Sequence, residues 1–184
     1  MLSNKRFSPN IWNINPYIRQ SHNCYEYALN KLTINNAVDC KKTLKKGKSC
    51  NYLKHQPGLY GGIPDIKNRK YTCKSLEKRM IKDNKKMYKT FKKCKPGYYK
   101  IALAIRPNRR YHFYRKHDNG TWSHKEGQTS ATNKDASNKI ITNLKKANRK
   151  YKDRYYSKIC GEYCLPSFEM RRSNHKLHKT KKNN

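Results

Sequence analysis

Residues 109–127 read RRYHFYRKHDNGTWSHKEG. Two aromatic-rich segments flank Asp118-Asn119-Gly120, the pattern of a β-hairpin. This stretch constrains the fold most, because hairpin register decides which side chains share a sheet face. A three-residue loop, Asp118-Asn119-Gly120, pairs residue 117 with 121. A two-residue loop, Asn119-Gly120, pairs 118 with 121. His112 and His124 lie on one face, as diagonal neighbours, only in the first register. In the second they face opposite sides. Both registers use common turn chemistry, the first with glycine in the left-handed position.

The neighbouring segments extend the sheet. YYKIALAIR, 98–106, reads as an apolar strand, and YYSKICGEYCLPSF, 155–168, as a last strand and turn. Two helices are expected before the sheet. The first opens at SHNCYEYALNKL, 21–32, where Asn23 is a good N-cap and Glu26 completes a capping-box pair. The second covers Thr72–Phe91, with Leu76, Met80, Met87 and Phe91 on one side. Residues 1–20 read as an extended lead-in, 36–72 as a long loop containing QPGLYGGIPD, and 136–151 as one more helix. The basic stretch after Met170 is expected to be a disordered tail. The order predicts an α+β domain over 21–168, with N-terminal helices packed on an antiparallel sheet. Residues 1–20 and 169–184 flank it.

Cys24 sits at the first turn of the first expected helix. A nucleophilic thiol needs a lowered pKa, a base in reach and a group that orients the base. The helix start is expected to favour a thiolate. His112 can serve as the base, and His124 can hold that ring through its other nitrogen. The backbone N–H of Cys24 can contribute to an oxyanion hole.

The string NCYEYALN … QPG … GYYKIALAI … HFYR … NGTWSHKEG … CGEYC resembles the NlpC/P60 class of papain-like cysteine peptidases, in particular members from bacteria and large DNA viruses. The likeness spans about residues 20–166. It implies a papain-like fold with nucleophile Cys24, base His112 and orienting residue His124. It implies a peptide or amide substrate and no cofactor or metal. The class usually carries Asp-Cys-Ser-Gly at the nucleophile, where this chain has Asn23-Cys24-Tyr25-Glu26. Tyr17 is the nearest counterpart of the upstream oxyanion-hole tyrosine.

Charge supplies a second reading. The 184 residues include 45 Lys and Arg against 11 Asp and Glu, a net charge of +34. Such a chain attracts polyanions, nucleic acid among them. Tyr111, Phe113, Tyr114 and Trp122 interleave with Arg109, Arg110, Arg115 and Lys116, as in surfaces that stack bases and bind phosphates. Alternation on a strand sends half of these aromatics to a core. The alternative to the hydrolase is therefore a catalytically silent, highly basic structural or packaging protein of a virus particle.

No segment is long and apolar enough to read as a signal peptide or membrane span. The seven cysteines are an odd number. With no secretory signal they are expected to be mostly reduced, and the chain intracellular or carried in a virion. Cys160 and Cys164, with His175 and His178, offer a set of zinc ligands, but zinc sites more often use a second tight pair, and buried structural thiols are the reading preferred. His22 precedes the cap and is a poor base. His117 and Asp118 read as turn residues.

Overall fold

A computed structural model describes residues 7–66, 68 and 70–167. The fold is α+β. Its helices are α1 (Asn10–Asn13), α2 (Pro16–Ser21), α3 (Cys24–Ala28), α4 (Ile34–Lys45) and α5 (Cys73–Asp83). Its strands are β1 (Tyr88–Lys89), β2 (Tyr98–Arg106), β3 (Arg110–Lys116), β4 (Trp122–Lys125), β5 (Ala131–Thr132), β6 (Lys150–Tyr151), β7 (Arg154–Tyr155) and β8 (Lys158–Pro166). The main sheet runs β1-β8-β2-β3-β4-β5, antiparallel wherever its strands pair.

Every residue of β2 from Tyr99 to Ile105 is buried, so both sheet faces are covered. Odd-numbered residues Ile101, Leu103, Ile105, Phe113, Tyr163 and Leu165 pack against Tyr25 and Ala28 of α3, its C-cap Leu29, and Leu76 and Met80 of α5. Even-numbered Ala102, Ala104, Tyr114 and Trp122 pack against Ile141, Leu144 and Tyr156. A third cluster joins Trp12, Ile18, Tyr27, Ala37 and Ala131, anchoring α1, α2 and α4 at the β5 edge.

The segment 136–151, expected as a helix, is irregular up to β6 and covers the even face. Asp135 explains this. Its Oδ1 accepts from the backbone of Ser137 and Lys139, and its Oδ2 from Asn148. These bonds satisfy the backbone locally and compete with a helical ladder. The lead-in is helical rather than extended: Pro16 opens α2, and the Asn15 side chain accepts from Tyr17 and Ile18. The expected loop 36–72 begins inside α4, whose buried residues are Ala37 and Cys40. So narrow an apolar stripe leaves little periodicity to read. The helix expected over 72–91 is capped by Thr72 and Ser75 and stops at Asp83, and Tyr88 and Lys89 form an edge strand.

The expectation of reduced thiols is corrected. Cys40 bonds Cys50, Cys73 bonds Cys160, and Cys94 bonds Cys164. Cys24 is the one free cysteine, and it is buried. Cys160 and Cys164 are thereby committed to separate bridges, one to α5 and one to the β1–β2 connection. The basic tail, with His175 and His178, lies outside the described residues.

Candidate functional site

The hairpin takes the three-residue register. Tyr114 pairs with His124 and Lys116 with Trp122, and the His117 N–H donates to the Thr121 carbonyl at 2.8 Å. Gly120 closes the turn at φ 83°, a left-handed conformation that glycine adopts without strain. His112 and His124 therefore share a face, and their rings meet: His112 Nε2 lies 2.9 Å from His124 Nδ1.

Hydrogen-bond logic fixes the tautomers. His124 Nε2 is 3.0 Å from the Lys134 carbonyl, which can only accept, so Nε2 carries a proton. Neutral His124 then offers a lone pair at Nδ1, and His112 must donate from Nε2. That leaves Nδ1 of His112 unprotonated, as a general base requires. Burial pulls both pKa values down: His112 well below the ordinary value, with His124 and Arg154 adding to the effect, and His124 more mildly. Both rings are neutral near pH 7. Tyr156 stacks on His112 with centroids 4.8 Å apart, and its hydroxyl donates to Glu126 Oε1 at 2.6 Å. Glu126 also pairs with Arg154 at 3.2 Å.

Cys24 comes to this place from the other side of the sheet. Its helix is capped as the sequence predicts. The Asn23 side chain accepts from Tyr25 and Glu26 N–H, and Glu26 Oε2 accepts from Asn23 N–H. Tyr25 packs on Phe113, ring centroids 4.8 Å apart, on the odd-numbered face. The two faces communicate because β3 outruns β4: the β4 ladder begins at Tyr114 and leaves residues 110–113 without a β4 partner. There Cys24, His112, Tyr111, Tyr156, Glu126, Gln56 and three arginines, 109, 110 and 154, line one cleft of about 400 Å³.

Cys24 is 6% exposed. Burial pushes its thiol pKa up to about 12, against the smaller opposing pull of the Phe113 backbone. The thiolate-favouring effect expected of the helix start is overridden by desolvation. Among the described residues Cys24 makes no hydrogen bond to either histidine. The resting arrangement is a neutral thiol and a neutral imidazole around a shared cleft.

Other expected residues fall elsewhere. Tyr17 packs beside the Trp12 cluster and does not line the cleft. His22 is spent on structure: its Nε2 accepts from Thr33 N–H at 3.0 Å, so its Nδ1 donates to the Ile18 carbonyl at 3.1 Å. His117 is more than a turn residue. It is buried, with Nε2 2.6 Å from Ser123 Oγ. Phe113, Tyr114 and Trp122 are buried, which removes them from any base-stacking surface. Tyr156, Glu126 and Lys125 were missed by sequence reasoning. Only the last two carried a signal, as the residues after His124. Lys125 is fully buried and donates to the carbonyls of Arg19, His22 and Gly127 at 2.5, 2.6 and 2.5 Å. Burial pulls its pKa to about 7. Three acceptors at this range need three donors, which only the ammonium form has. Lys125 thus ties the end of α2, just before Cys24, to the strand that carries His124.

Among the described residues no helix is long and apolar enough to cross a membrane. No protein-family model matches the sequence, and no solved structure matches the chain. The sequence is 33% identical over 144 residues to insoluble matrix shell protein 1 of Ruditapes philippinarum, covering 78% of this chain and 81% of that protein. The chain belongs to the same family as that shell protein.

Proposed function

We propose that the chain is a papain-like cysteine hydrolase of the NlpC/P60 kind, acting on an amide or related acyl bond. The observation that carries this reading is the hydrogen-bonded His112–His124 pair at 2.9 Å, opening onto a cleft that Cys24 also lines. The order helix-borne Cys, strand-borne His, second His on the next strand supports it as well.

The neutral resting state points to a base-assisted step rather than a preformed ion pair. As the Cys24 sulfur adds to the substrate carbonyl carbon, its proton passes to His112 Nδ1. The imidazolium keeps its Nε2–H on His124 Nδ1. Collapse of the tetrahedral adduct breaks the bond to the leaving group, which takes the proton from His112 Nδ1. Water, deprotonated by the same nitrogen, then releases the acyl group.

The test is acetylation by p-nitrophenyl acetate, located by peptide mass spectrometry. Acetyl transfer to Cys24 in the wild type, lost in Cys24→Ala and slowed on the order of 10²-fold or more in His112→Ala, is the expected result. Equal labelling of wild type and His112→Ala would sink the reading.

A second reading has its own support. The thiol pKa of about 12 and the charge of +34 also suit a silent site on a basic structural protein. The named relative is a shell matrix protein. Three disulfides favour an oxidising compartment over the intracellular or virion setting expected from reduced thiols. Under this reading Cys24→Ala retains DNA or another polyanion as the wild type does, with affinity falling steeply as salt rises.

A further inference from the structure

The hairpin of β6 and β7 brings an aromatic ring to each histidine. Tyr151, at the end of β6, sits with its ring centroid 5.5 Å from that of His124. Tyr156, just past β7, stacks on His112 at 4.8 Å with the ring planes 18° apart. The two tyrosine rings also meet each other, at 6.3 Å. The hairpin is closed at its base. The Tyr156 N–H donates to the Arg149 carbonyl at 3.1 Å, and Arg149 Nε donates to the Tyr156 carbonyl at 3.0 Å.

A carboxylate fastens this hairpin to the main sheet. Glu126 directly follows β4, the strand that carries His124. Its Oε1 accepts from the Tyr156 hydroxyl at 2.6 Å, and its Oε2 pairs with Arg154 Nη1 at 3.2 Å. Tyr156 is thus buried against His112 with its far end tied down.

The His112 ring needs such a hold. Among the described residues it makes one hydrogen bond, from Nε2 to His124. One bond leaves the ring plane free to swing about the line to its partner. Tyr114 meets the ring at a right angle, 4.9 Å away, and Tyr156 covers a face. Together they remove that freedom. The groups that face the ring are His124 from β4, Tyr114 from its own strand, and Tyr156 and Arg154 from the hairpin. Cys24, Glu126, Arg109 and Arg110 share its cleft. A base must keep its free nitrogen within hydrogen-bond reach of the proton it takes, and a wet imidazole face favours the charged form, which cannot take one.

We propose that Tyr156, anchored by Glu126, is the positioning residue that holds the His112 imidazole in one plane and shields its face from water, a role in catalysis that rests on the hydrolase reading.

Nitrogen NMR titration of His112 and the pH profile of Cys24 acetylation by p-nitrophenyl acetate test this together. In the wild type His112 is neutral at pH 6.5, since burial holds its pKa below that value. Tyr156→Ala opens the ring face, so the His112 titration should move up by about one pH unit, a tenfold change in the protonated-to-neutral ratio. The acid limb of acetylation should move with it, and the rate above that limb should fall about tenfold or more as the ring loses its plane. Tyr156→Phe keeps the ring and removes only the bond to Glu126. It should shift both readouts in the same direction by less, and it serves where the alanine variant fails to fold. A His112 titration unmoved in the folded variants overturns the proposal. So does a loss of acetylation with the acid limb in place, which marks general damage to the cleft. A wild type that is not acetylated at Cys24 overturns the hydrolase reading and the catalytic role of Tyr156 together, whereas the NMR titration alone decides whether Tyr156 shields the ring.

Discussion

His112 donates its Nε2 proton to His124 Nδ1 across 2.9 Å, and the Lys134 carbonyl holds His124 in the tautomer that can accept it. The chain of donors runs one way: a backbone carbonyl sets the outer ring, and the outer ring sets the inner one. Nitrogen NMR should find Nε2–H tautomers for both rings at neutral pH. His124→Gln, which can place an acceptor oxygen near His112 Nε2, should retain more acetylation of Cys24 than His124→Leu. The leucine variant should lose on the order of 10²-fold or more, since a base left in the wrong tautomer forfeits most of its contribution. Equal rates for the two variants would remove His124 from the orienting role.

The pH dependence follows from two opposite displacements. His112 must be neutral to take the thiol proton, and burial holds its pKa well below the ordinary 6.5. Acetylation should therefore fall only on the acid side of that value as His112 gains a proton. Cys24 is pushed up to about 12, so its own ionisation leaves the base-assisted rate flat through neutral and mildly alkaline pH. Iodoacetamide should behave differently, because it needs thiolate. With a pKa near 12, alkylation should keep rising about tenfold per pH unit past the ~8.5 at which an ordinary thiol levels off. A plateau in alkylation near pH 8.5 would contradict a thiol whose ionisation is suppressed by burial.

Those two displacements mark the limit of what the sequence discloses. Hairpin parity reduced the two histidines to a choice between one shared face and opposite faces, because side-chain alternation is local; the turn length that decides between them is settled by the His117–Thr121 pairing. Asn23 and Glu26 announced their capping box through spacing alone. Desolvation of Cys24 was not legible, since it depends on β3 residues such as Phe113 and Tyr111, far along the chain, packing in the same cluster. Nor was the way Cys24 and His112 meet. They belong to opposite faces and converge only where β3 runs past the end of β4, a length mismatch that no periodicity encodes. Asp135 redirected an Asn- and Lys-rich stretch from helix to loop through three side-chain acceptances that composition does not distinguish from a helix surface. Tyr156 reaches His112 from the short connection between β7 and β8.

Lys125 should be costly to replace. Its ammonium serves three buried carbonyls, those of Arg19, His22 and Gly127. Lys125→Met keeps the length and the packing but leaves all three acceptors without that donor. Chemical denaturation should show a loss of stability, with about 1–3 kcal/mol for each buried acceptor left unsatisfied. The carbonyls of Arg19 and His22 lie just before the Cys24 helix, so Cys24 should also become more open to alkylation at neutral pH. A variant as stable as the wild type would mean that water replaces the ammonium without strain.

The disulfides give the most direct check on compartment and fold together. Seven cysteines less the six in bridges leave one thiol. Protein purified without reductant and then denatured should titrate one thiol per chain, and seven after reduction. In the native state that one thiol should react slowly, because Cys24 is buried. The bridges Cys73–Cys160 and Cys94–Cys164 close separations of 87 and 70 residues, tying α5 and the β1–β2 connection to β8. Replacing either pair by serine should lower stability by about 2–5 kcal/mol. The Cys40–Cys50 bridge spans 10 residues and should contribute less on the loop-entropy argument. Seven titratable thiols in unreduced protein would remove the support that the disulfides give to an oxidising compartment.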